Sequence, residues 1–153
     1  MHEVELGVWK SLLQHLIRML HCQGPLIVHK FNSRYVFNIF LNCEFEGIIH
    51  KYYCRFCQVA PFGSSIRRFE ANVSDLSKLA ARNYEDILQC SIPCFEGLFP
   101  EPHNSTILDL LYIVRYWHSL AKLHMHTDTS LRVFREVTAM LGDGLRYFAI
   151  LAP

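Results

Sequence analysis

Apolar residues recur at helical spacing in four long stretches of this chain and lose that spacing in one. Over residues 107–125, Ile107, Leu110, Leu111, Val114, Trp117 and Ala121 fall on a single face. Leu108, Tyr112, Ile113, Tyr116, Leu120 and Leu123 fill most of the remaining circumference. A helix that apolar all round predicts a central buried rod with other helices packed on several sides. Pro100-Glu101-Pro102-His103-Asn104 forms a turn-rich lead-in, with Asn104 or Ser105 as the expected cap. Thr127 or Asp128 caps a further helix over 131–148, whose inward positions are Leu131, Phe134, Val137, Thr138, Leu141 and Leu145. Gly142 and Gly144 each weaken that helix by about 1 kcal/mol relative to alanine.

Residues 4–22 carry a third stripe, Val4, Val8, Leu12, Leu16 and Met19, widened by Leu13, Ile17 and Leu20, and Gly24-Pro25 stops it. A fourth helix is expected over 76–88, capped by Ser74 or Asp75, with Leu76, Leu79, Ala80, Asn83 and Ile87 facing inward. Pro93 kinks or ends it, unless it continues through Phe95 and Leu98. Between 26 and 62 aromatic residues crowd together with three cysteines, and neither the helical nor the alternating template fits for long. Short strands at 36–42 and 48–53 are the alternative there. The pattern defines a mainly α protein: one domain over 1–153, a bundle of about four long helices with an irregular insert at 26–62 that leaves room for β-structure.

Totals narrow the function more than the fold. The 153 residues suffice for one domain with a real core, and 51% hydrophobic content excludes general disorder. A net charge of +1 lacks the basic excess of a strong nucleic-acid or anionic-membrane footprint. Lys10, His15 and Arg18 interrupt the first apolar stretch, and Glu3 and Glu5 stand where a signal peptide carries basic residues. The reading is therefore intracellular, with six cysteines held as thiols and no membrane partner.

Four constellations could carry chemistry. Cys54-x-x-Cys57 and Cys90-x-x-x-Cys94 outline an all-thiolate zinc site. The second pair falls on an expected helix and the gap between pairs is long, so core thiols are the preferred reading and no cofactor is assigned. His118, His124 and His126 lie near the end of the central helix, with His103 before it. They share no clean face, and hydrogen-bonded structural histidines are preferred. Glu85, Asp86, Glu96, Glu101 and Asp109 are scattered, whereas two-metal phosphoryl chemistry needs carboxylates converging on one point. Arg67, Arg68, Lys78 and Arg82 are the candidates for DNA contact. Glu70, Asp75, Glu85 and Asp86 offset them, which favours a solvated helix face. There is no P-loop and no nucleophile elbow.

The order of short blocks carries a family resemblance. Met1-His2-x-x-Glu5-Leu6-Gly7-Val8-Trp9-Lys10 is followed by Ile66-Arg67-Arg68-Phe69, Leu79-Ala80-Ala81-Arg82, Leu88-Gln89-Cys90 and Phe95-Glu96-Gly97-Leu98. Pro100-Glu101-Pro102-His103-Asn104, Trp117-His118-x-Leu120-Ala121-Lys122-Leu123 and Met125-His126-Thr127 complete the series. Together they resemble a block of the Plavaka-type transposases, fungal DNA-transposon proteins related to the CACTA group. The similarity spans 1–34 and about 56–145. It implies descent from a DDE-type, RNase H-like nuclease that works with divalent metal, a nuclear location and DNA as an ancestral partner. The chain resembles an interior piece: in the family Met1-His2 looks like the tail of an Asp-x-Met-His motif whose Asp would precede Met1. No catalytic acid of the family can be carried to a position here.

Members of the family pass from a stretch like His29-Lys30-Phe31-Asn32-Ser33-Arg34-Tyr35 almost directly to one like Gln58-Val59-Ala60-Pro61-Phe62-Gly63. Here about twenty residues, 36–55, intervene, and they are the discordant ones. We read them as an aberrant insertion, a translated intron: Val36 permits a GT donor and Cys54-Arg55 a TGTAG acceptor. The expected function is that of a non-catalytic transposase remnant. A helical DNA- or protein-interaction module is the alternative and a small zinc protein the second alternative. Apolar faces left uncovered predict self-association.

Overall fold

The computed structural model describes residues 4–35 and 73–151, with the side chains at 4–6, 34, 35, 78 and 81 outside that description. All regular structure among the described residues is helical. A π-helical turn, Val4–Trp9, runs directly into α1, Lys10–Gln23. Then come α2, Pro25–Tyr35, and a 3-10 turn, Leu76–Lys78. Helix α3 is Ala81–Phe95, α4 is His103–Ala121 and α5 is Asp128–Leu151. The mainly α bundle expected from periodicity is the architecture observed. The strands considered at 36–42 and 48–53, and the insertion at 36–55, lie outside the described residues.

The core forms where α1, α2, α3 and α4 converge. Leu13 and Leu20 of α1, Phe31 of α2, Ile87 and Phe95 of α3 and Leu111 of α4 are fully buried. Phe31 and Phe95 meet with ring centroids 4.8 Å apart, which joins α2 to α3. Trp9 is sealed between the first turn and α3, and its Nε1 donates to the Tyr84 carbonyl at 2.7 Å. Burying the indole therefore strands no donor.

Helical structure extends further along the chain than the composition after Gly24-Pro25 implies. Gly24-Pro25 does stop α1: Gly24 has φ +118° and its N–H donates to the His21 carbonyl at 3.2 Å. Yet the same pair starts α2. Proline is the first residue of that helix, where its missing N–H costs nothing. The Gly24 carbonyl accepts from the amides of Ile27 and Val28. Residues 26–35, assigned to the irregular insert from their aromatic content, are thus helical.

The start of α3 also differs from expectation. Ser74 and Asp75 cap no helix at Leu76. The Asn32 side chain of α2 holds Ser74, donating from Nδ2 to Ser74 Oγ at 2.8 Å and accepting the Ser74 amide at 3.0 Å. Asp75 accepts from the Ser77 hydroxyl at 2.6 Å. With both side chains engaged elsewhere, only a 3-10 turn forms, and α3 begins at Ala81. Asn83 Oδ1 reaches back to the Ala80 N–H at 3.2 Å. Pro93 does not end α3, which continues to Phe95; Gly97, at φ +67°, follows it.

Helices α4 and α5 form an antiparallel hairpin. Trp117 Nε1 donates to Thr138 Oγ1 at 3.0 Å near the connection, while Gly144 lies over Leu110 farther away. Helix α4 is not the rod buried on every side that its composition predicts. Ile107, Leu110, Leu111, Val114 and His118 form one buried face, and Tyr112 and Tyr116 stand exposed on another. Tyrosine carries a hydroxyl that water satisfies, so an apolar count overstates how much of this helix seeks cover.

Candidate functional site

Among the described residues, the sequence candidates do not assemble into one site. Cys54, Cys57, Arg67 and Arg68 lie outside the described residues. Cys90 and Cys94 sit on successive turns of α3, the first half-buried and the second buried. No group of three or more His, Cys, Asp or Glu side chains arranged to hold a metal occurs among the described residues. Burial holds the Cys90 thiol above its ordinary pKa, with the Asp86 charge adding and the Arg115 charge opposing. The protonated thiol is therefore favoured at neutral pH, which suits packing rather than ligation or nucleophilic attack.

The histidines take separate structural places. His118 is buried in α4 and His124 is exposed in the loop after it. His126 stacks on Phe134 at 5.7 Å and its Nδ1 shares a 3.2 Å hydrogen bond with Ser130. His103 is the first residue of α4.

The acids are distributed in the same way. Glu101 caps α4: its carboxylate accepts from the Ser105 amide at 3.2 Å, the Ser105 hydroxyl at 2.7 Å and Asn104 Nδ2 at 3.0 Å. Those bonds lower its pKa, the Ser105 hydroxyl contributing most. Neither Asn104 nor Ser105 is the cap itself; Asn104 Oδ1 instead accepts the Gly97 amide at 2.8 Å. Glu85 on α3 pairs with Lys122 after α4, and Asp143 pairs with Arg146 on α5. Asp86 is buried in α3, and Glu96 and Asp109 are exposed. Among the basic candidates, Arg82 is exposed at the start of α3; Lys78 ends the 3-10 turn, its side chain outside the description.

The structure adds a feature that the motif search missed. A cleft of about 620 Å³ lies between the start of the first helix and the end of α5. Gly7, Val8, Ser11, Leu12 and His15 line one side, and Leu145, Phe148 and Ala149 the other. The His15 and Phe148 rings meet edge to face, with centroids 5.6 Å apart. His15 Nε2 is buried without a hydrogen-bond partner. The signal was present in the sequence: Val8, Leu12, His15 and Met19 follow helical spacing, so a histidine stands in an apolar stripe. Motif reasoning passes over it because one imidazole makes no ligand set.

No protein family, curated protein or solved structure matches this chain. No helix among the described residues is long and apolar enough to cross a membrane.

Proposed function

We propose that this chain is a non-catalytic helical remnant of a Plavaka-type, CACTA-related transposase, with structural packing in place of a reaction. The family assignment rests on the ordered blocks quoted above. The inactive reading is supported chiefly by where the acids are engaged. Glu101 caps α4, Glu85 binds Lys122 and Asp143 binds Arg146, three separate places on the fold. A DDE-type nuclease needs its carboxylates gathered on one metal pair. The test is incubation of the purified chain with labelled linear duplex DNA and Mg²⁺ or Mn²⁺. No cleavage above the protein-free control is expected, and cleavage abolished by a chelator would overturn the reading. Transposase-coding sequence on either side of the gene would support the descent.

A second reading, a helical interaction module, is favoured by Met140, Tyr147 and Ile150, which α5 leaves exposed. Light scattering tests it through self-association. A gel shift that weakens steeply with salt would assign DNA as the partner.

A further inference from the structure

We propose that the cleft between the first helix and the end of α5 binds a small amphiphile: an apolar chain carrying one carboxylate head. Its volume, about 620 Å³, falls in the range that holds small molecules. Leu12, Leu145 and Phe148 supply an apolar wall, and Ser11 and His15 are its polar side chains. Among the described residues that line it, none is acidic.

The nature of the head follows from His15. Its Nε2 has lost water without gaining a hydrogen bond. Phe148 packs edge-on against the same ring. A ring turn that brings Nε2 into the cleft would give it an acceptor in a carboxylate oxygen, and the Ser11 hydroxyl offers a second donor. A purely apolar ligand would leave the nitrogen as it is. The cleft is also open beside Gly7, where an added Cβ would meet nothing within 4 Å. That glycine lies in the π-helical turn, a backbone form that recurs at functional sites.

The experiment uses the full chain with decanoate and decanol as probes, followed by NMR of ¹⁵N-labelled histidine. Decanoate is expected to bind saturably, one per chain, and to move the His15 ring nitrogens. Two variants separate site from fold. Gly7→Leu fills the cleft without deleting a contact and should weaken decanoate at least 10-fold while helical circular dichroism is unchanged. His15→Phe keeps a ring against Phe148 and should cost decanoate at least 5-fold but decanol less than 2-fold. His15→Phe should also raise the melting temperature, because it removes the orphaned nitrogen. Absence of saturable binding at millimolar decanoate would overturn the proposal. So would binding indifferent to Gly7→Leu, or equal losses of decanoate and decanol in His15→Phe.

Discussion

Helix α1 buries five of its 14 residues, whereas α5 buries two of its 24. Both carry apolar residues at helical spacing, so both announce an inward face. They differ in what meets that face. Helix α1 sits against α2 and the turn that precedes it, and Trp9 in that turn ties it to α3. Helix α5 packs chiefly on α4, with Phe148 touching His15 at its far end. Phe134, Leu141 and Leu145 are accordingly only half-buried. Periodicity reports which side of a helix turns inward; the number of neighbours decides how deep it goes.

The largest expected effect tests that contrast in α1. Leu13 is fully buried, and Leu13→Ala should destabilise the chain by about 2–5 kcal/mol in urea unfolding followed by tryptophan fluorescence. A loss below about 1 kcal/mol would mean that the junction of α1, α2 and α3 is not the stabilising core.

Glycines within α5 give the next largest effect and sharpen the comparison. A Cβ at Gly142 would meet only the end of the Arg146 side chain, at 3.4 Å. Gly142→Ala should therefore stabilise by about 0.5–1 kcal/mol through helix propensity. A Cβ at Gly144 would stand 3.1 Å from Leu110 Cδ1 of the facing helix α4. Gly144→Ala carries the same propensity gain against that crowding, so its net effect should lie near zero. Equal stabilisation by both would show that α4 and α5 are not held as closely as Leu110 and Gly144 indicate.

Exposed apolar positions of α5 give a smaller effect. Met140 is 52% exposed, so Met140→Ala should change stability by no more than about 0.5 kcal/mol. A larger loss would mean that this side of α5 is covered in solution, in line with an interaction module.

Much of the bundle was legible in the sequence, and the failures have specific causes. The stripes through Leu12, Leu16 and Leu20 and through Ile107, Leu111 and Val114 identify buried faces because each side chain has no alternative use. Gly24-Pro25 was legible only as a stop, although a proline at a first helical position marks a start equally well. Ser74 was misread because its partner, Asn32, is 42 residues away and no local rule can see it. For Cys90 and Cys94 the spacing on one helix already favoured packed thiols over a metal site, and the structure places Cys94 in the core and Cys90 half-buried beside it. The cleft at His15 was illegible as a site because it depends on α5 returning to the first helix.

The smallest effect compares the starts of α4 and α5. Helix α4 is capped by a carboxylate that titrates, and α5 by hydroxyls that do not. At the start of α5, Ser130 Oγ accepts the Thr127 amide at 2.8 Å and Thr127 Oγ1 accepts the Ser130 amide at 3.2 Å. Glu101 has a folded pKa below its ordinary value, so folding favours its ionised form. Its contribution is fully present above the ordinary glutamate range and is lost as pH falls through that value towards the folded one. Glu101 is fully exposed, so solvent screens the effect and the change should be confined to the first turn of α4. Amide NMR from pH 6 to pH 3 should show the Ser105 N–H titrating below the ordinary glutamate pKa. Glu101→Gln should abolish the Ser105 titration without moving Ser130. A Ser105 amide that titrates at the ordinary glutamate value would mean that the carboxylate gains nothing from the cap. A Ser130 amide displaced by Glu101→Gln would mean that α4 and α5 loosen as one hairpin rather than from their separate starts.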